Sequence, residues 1–135
     1  DRASQMLGYL VKHLIRQETD LAEETIAEFI EKEPQFTFSP YPGHSSGYIV
    51  DTIQTVLHFF HTTNSLEDCI TKTVNMGGDA NTVGALAGML AGAKYGVGAI
   101  PERWLKQLDP DISELIKKQT TTLLSLAEKL AEQNP

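Results

Sequence analysis

The residues in this chain best suited to chemistry lie together in one short run, Gly77-Gly78-Asp79-Ala80-Asn81-Thr82. Paired glycines let the backbone follow a tight, left-handed path. Asp79, Asn81 and Thr82 then offer a carboxylate, an amide and a hydroxyl, hard oxygen donors that suit Mg2+ or Mn2+ better than zinc. The start of the helix that follows adds free N–H groups and a partial positive charge. A plainer reading stands beside this one, in which Asp79 or Asn81 is only an N-cap. A double glycine followed by several oxygen donors is more than a cap requires.

The helix after this turn, about Val83 to Tyr95, is unusual in composition. Gly84, Gly88, Gly92 and Gly96 recur every four residues, with Ala85, Ala87, Ala91 and Ala93 between them. Each glycine costs a helix about 1 kcal/mol relative to alanine. The spacing places all of them on one stripe, where another helix backbone is expected to approach closely. Membrane dimerisation helices share this pattern. Asn81 and Lys94 bracket an apolar stretch too short to span a bilayer, so a central helix buried in a bundle is expected instead.

The elements that must position these residues also read as helices. Asp1 can cap a first helix to about Gln17, and Asp20 a second from about Leu21 to Lys32. Glu33 to Gly47 holds Pro34, Pro40, Pro42, Gly43 and Gly47 and reads as a long ordered loop, a kind of segment that often carries function. Helical spacing returns from about Ile49 to Thr62. Asn64 or Ser65 opens a short helix to about Met76. Pro101 suits the first turn of another helix through Gln107, and Asp109 or Asp111 opens the last, to about Glu132. Strand signals and internal repeats are absent. One all-α domain over residues 1–135 is expected.

Other chemically capable side chains fit bland roles. His58 and His61 have the i, i+3 spacing of a metal pair, but Phe59 and Phe60 flank them and no carboxylate is near in sequence, which points to helix-surface or packing roles. His44, Ser45 and Ser46 in the loop can each reach a pocket. Cys69 reads as a buried structural thiol, and Glu28, Glu31 and Glu33 as a solvated helix face.

Composition narrows the classes. The 135 residues carry 11 Lys+Arg against 18 Asp+Glu, and 11 − 18 gives −7, which disfavours a nucleic-acid or anionic-membrane partner. At 41% hydrophobic and 21% charged, the chain is neither disordered nor low-complexity. A lone cysteine leaves no internal disulfide and fits a reducing, cytoplasmic setting. No signal peptide is visible. The chain begins Asp1-Arg2-Ala3 without an initiator Met, so it reads as processed or as part of something longer.

Asn75 to Gly96 resembles the C-terminal signature of the ADP-ribosylglycohydrolase family, whose pattern is Gly-Gly-Asp-x-Asp-Thr followed by a small-residue helix. The run Ser46-Gly47-Tyr48-Ile49-Val50-Asp51-Thr52, with Ser65-Leu66-Glu67-Asp68-Cys69, is most similar to the dinitrogenase reductase-activating branch, and Ile100-Pro101-Glu102-Arg103-Trp104 matches the turn after the glycine helix. The similarity covers about Gly47 to Leu108. It implies a compact orthogonal helical bundle around two Mg2+ or Mn2+ ions. It also implies hydrolysis of the N-glycosidic bond joining ADP-ribose to a protein arginine, with dinitrogenase reductase as one such protein and ADP-ribose as ligand. Mapped here, Asp79, Asn81 and Thr82 are the implied metal ligands, Asp79 the implied catalytic residue, and Tyr48 a wall of the ADP-ribose pocket.

The chain departs from the family pattern in two places. Asn81 stands where the family has a second aspartate, and an amide oxygen brings no charge, so weaker metal binding is expected. A weakened or inactive relative that keeps ADP-ribose binding or a structural role is the alternative this raises. The family is also about twice this length. The chain resembles its C-terminal half, and the N-terminal half, with the remaining metal carboxylates, is expected to come from elsewhere.

Overall fold

Apolar side chains recurring every three or four residues give helices throughout a computed structural model that describes residues 1–134. The chain is 78% helical, and no strand occurs among the described residues, as the sequence predicts. It divides into two units, Asp1–Ile100 and the remainder from Pro101.

In the first unit, α1 (Arg2–Ile15) buries Ala3, Met6, Leu10 and Leu14, and Asp1 caps it by accepting from the Ala3 amide at 2.9 Å. The turn to α2 (Thr19–Lys32) differs from expectation. Gln17 adopts a left-handed φ of 59°, and Glu18 takes the N-cap position in place of Asp20. The Glu18 carboxylate bonds His13 Nδ1 at 2.6 Å instead of capping, and this bond holds its pKa below the usual range. Asp20 falls in the first turn, where a negative charge favours the helix dipole.

Glu33 is likewise not part of a solvated face. It closes α2, bonds Arg2 at 2.6 Å and Gln35 at 2.7 Å, and so ties the start of α1 to the end of α2. Hydrogen bonds from Gln35 and then Arg2 lower its pKa. Within the expected loop, Pro34–Phe36 forms a 3-10 turn that buries Phe36 against Phe29, ring centres 4.9 Å apart.

Helix α3 (Ile49–Thr62) and α4 (Leu66–Asn75) lead to α5 (Ala80–Tyr95), which packs on α1, α3 and α4. Ser65 caps α4 by accepting from the Asp68 amide. Val83, Ala87, Leu90 and Ala91 are fully buried, which places α5 at the centre of this unit. The glycine stripe behaves differently from expectation. A Cβ at Gly84 would lie 2.8 Å from Val74 Cγ2, and one at Gly88 3.6 Å from Ile70 Cδ1. The neighbours are thus side chains of α4, not a helix backbone. A Cβ at Gly92 would meet nothing within 4 Å, and Gly96 lies past the helix end with a φ of 81°.

Gly92→Ala should therefore stabilise the isolated chain by about 0.5–1 kcal/mol, the ordinary helix-propensity gain with no clash to offset it. Chemical denaturation checks this. A loss of stability would show that the open side of α5 is closely covered.

The second unit holds α6 (Glu102–Gln107) and α7 (Pro110–Gln133). Asp109 caps α7 by accepting from the Asp111 and Ile112 amides, with Pro110 at its first position. No helix of the described residues is long and apolar enough to cross a membrane.

Candidate functional site

Asp79 is the N-cap of α5, so the helix begins at Ala80 and not near Val83. The reason is local: the Asp79 carboxylate accepts from the Thr82 amide, at a long 3.4 Å, and satisfies an otherwise orphaned donor. Asn81 and Thr82 consequently sit in the first turn of α5, both exposed, while Asp79 is half-buried. Gly77 and Gly78 carry φ values of 74° and 63°, the left-handed path expected of them.

Tyr48 is the N-cap of α3 and 63% exposed. Its neighbour Gly47 supplies the link to the glycine turn, since a Cβ built on Gly47 would lie 3.5 Å from Asp79 Oδ2. The two segments singled out in the sequence thus meet at the adjacent N-termini of α3 and α5.

Polar residues of α3 hold the intervening loop, and sequence reasoning missed them. Gln54 Nε2 donates to the carbonyls of Gln35 and Thr37 at 3.0 and 2.8 Å. Thr55, fully buried, has its hydroxyl 2.7 Å from the Asp51 carbonyl and 3.0 Å from that of His44. The Tyr41 hydroxyl lies 2.9 Å from the Thr55 hydroxyl, a bond in which either can donate, and 3.4 Å from the His44 carbonyl. Thr52 donates to the Ser46 carbonyl, and Ser46 Oγ donates to Asp51 Oδ2 at 2.6 Å. The available signal was a cluster of Thr and Gln on the inward face of an otherwise apolar helix.

His58 is half-buried and packs, whereas His61 lies at the helix surface, the two roles the sequence indicates. Tyr41 stacks on His58 with ring centres 4.4 Å apart. His61 contacts the Leu57 carbonyl through Nδ1 and Glu23 through Nε2. Burial, and then the neighbouring His61, lowers the His58 pKa. Protonation is thereby penalised in the folded state, so stability falls as pH drops from the unfolded pKa near 6.5 through the lower folded value. The thermal midpoint should drop between pH 8 and pH 5.5. A scan of His58→Gln should show a shallower drop, and an unchanged one would remove His58 as the source.

Cys69 is buried, and that burial raises its pKa, which fits a structural thiol and not a nucleophile. Among the described residues no group of three or more His, Cys, Asp or Glu side chains converges to hold a metal ion. The donors at the α5 turn are hard oxygens of the right kind for Mg2+ or Mn2+, with Asp79 as their only charge. In kind these donors fit a divalent cation, and a single carboxylate among them is too little charge to hold one alone.

Fold and site together define an all-helical protein whose oxygen donors are mounted on a glycine turn at the start of a central helix. The family model for ADP-ribosylglycohydrolase matches residues 2–135, and the chain belongs to that family. It is 48% identical over 128 residues to the ADP-ribosyl-[dinitrogen reductase] glycohydrolase of Rhodospirillum rubrum, a match covering 94% of this chain and 44% of that protein. The ADP-ribosylarginine hydrolase Tri1 of Pseudomonas putida is 38% identical over 88 residues, covering 65% of this chain and 23% of the relative. Human ADP-ribosylhydrolase ARH3 is 42% identical over 41 residues, 30% of this chain and 11% of its own length. The chain thus spans less than half the length of these relatives.

Proposed function

We propose that the protein carrying this chain hydrolyses the N-glycosidic bond between ADP-ribose and a protein arginine, and that this chain supplies part of its metal and pocket residues. The observation that carries the reading is the meeting of Asp79 with the Gly47–Tyr48 segment at the start of α3. The 48% identity to a relative named for removing ADP-ribose from dinitrogen reductase supports the same reaction, with an ADP-ribosylated protein such as dinitrogenase reductase as substrate. Asp79, Asn81 and Thr82 would hold their share of two Mg2+ or Mn2+ ions. Such ions supply polarisation of a water and anchorage for ribose hydroxyls. Tyr48 borders the ADP-ribose, and its exposed ring offers an apolar face for it. In the reaction the water oxygen joins the anomeric carbon, the C–N bond breaks, and the guanidine leaves with a proton. The N-terminal half of the fold supplies the carboxylates this chain lacks. A reduced, buried Cys69 is consistent with a cytoplasmic setting.

The test is release of ADP-ribose from an ADP-ribosylarginine protein. Release with Mn2+ or Mg2+, abolished by chelation, is the expected result. A second reading rests on Asn81: a relative that binds ADP-ribose without cleaving it. Calorimetric binding of ADP-ribose with no release under any metal condition would favour that reading.

A further inference from the structure

We infer that Ser45 and Gly78 form a clasp that positions the pocket loop, and Tyr48 with it, against the α5 turn. This rests on the functional reading just given, in which Tyr48 and Asp79 serve one site. Those residues come from elements distant in sequence, and something must fix their relative placement.

The contact between the two segments is backbone on backbone. A Cβ at Gly78 would lie 1.9 Å from the Ser45 carbonyl oxygen, 2.6 Å from its carbon and 3.3 Å from the Ser46 nitrogen. Only glycine fits there. Ser45 Oγ also donates to the Gly77 carbonyl at 3.0 Å. On its other side the same loop is fastened to α3, through Thr55 to His44, Thr52 to Ser46, and Ser46 to Asp51. The Tyr48 amide donates to Ser46 Oγ at 3.0 Å. Residues 44–48 thus bridge α3 and the α5 turn. Gly77 provides an internal control, since it has a similar φ of 74° but a Cβ there would meet nothing within 4 Å. Alanine at Gly77 strains the backbone alone, whereas alanine at Gly78 also drives the loop away.

The clasp acts on binding geometry, because the loop carries Tyr48 and no reacting group. Ser45→Ala in the protein carrying this chain should raise KM for ADP-ribosylarginine protein several-fold with kcat held, a pattern that lost binding interactions produce. Ser45→Thr, which keeps the hydroxyl, should restore it. Gly78→Ala should lower kcat/KM about a hundredfold, as a displacement of about 1 Å can, and Gly77→Ala far less. A merely weakened fold would lower kcat through loss of active protein and leave KM unchanged; that result for Ser45→Ala would overturn the clasp. A substrate-free readout separates this from the functional reading. The magnetisation transfer between Gly47 and Asp79 protons in NMR should weaken in Ser45→Ala and vanish in Gly78→Ala. If the unsubstituted protein released no ADP-ribose, the functional reading would fail. The clasp would then be supported by loss of that signal, and overturned by its persistence in both variants.

Discussion

Asp79→Ser should cut metal-dependent ADP-ribose release by roughly a thousandfold while leaving the helix it caps intact. Asp79 has two jobs that this substitution separates. As N-cap it accepts from the Thr82 amide, and serine does so about as well as aspartate, so stability should change by no more than about 0.5 kcal/mol. As a proposed metal ligand it supplies the only charge among the donors at the turn. The N-terminus of α5 carries partial positive charge, which opposes a cation, and the neutral Asn81 and Thr82 cannot offset it. Loss of that carboxylate should reduce kcat/KM by roughly a thousandfold, the upper range for removing one preorganised electrostatic contributor. Calorimetry with Mn2+ should show a matching loss of affinity. Retained hydrolysis in a well-folded Asp79→Ser protein would remove Asp79 from the site.

Asn81→Asp should act in the opposite direction. The side chain is exposed in the first turn of α5, so an added carboxylate meets no packing obstacle and gains about 0.3–1 kcal/mol from the helix dipole. A second charge beside Asp79 should tighten Mn2+ binding about tenfold or more, since ligand charge count is a main determinant of affinity for hard cations. The activity readout then decides between two kinds of protein. A large rise in ADP-ribose release at limiting Mn2+ identifies an attenuated hydrolase. Tighter metal binding with no gain in release identifies a relative that retains the fold for binding. If Mn2+ affinity does not rise at all, Asn81 does not face the metal.

Much of the fold was legible because its signals act within a few residues of each other. The caps at Asp1, Ser65 and Asp109 fall where short polar side chains precede apolar spacing, and each satisfies amides two or three positions on. The central place of α5 follows from its run of small and apolar residues, and the left-handed glycine turn from the Gly77-Gly78 pair. Identities and spacing were likewise enough to nominate Asp79, Asn81 and Thr82 as oxygen donors.

Local signals were misread where a distant partner competed. Glu18 takes the N-cap position of α2 while its carboxylate bonds His13 instead of capping, and Glu33 pairs with Arg2 of α1 at the protein surface. A stripe of glycines every four residues says that small groups share one face, and not what lies over it. Packing put α4 side chains over Gly84 and Gly88 and left Gly92 open. The approach of Ser45 to Gly78, which brings Gly47 beside Asp79, depends on how α3 and α5 pack. The sequence by itself therefore determined the helices and the donor chemistry, because propensity, capping and side-chain type act over one helical turn. Only the tertiary structure decided which segments meet at the site, because that depends on the fit of surfaces brought together from distant parts of the chain.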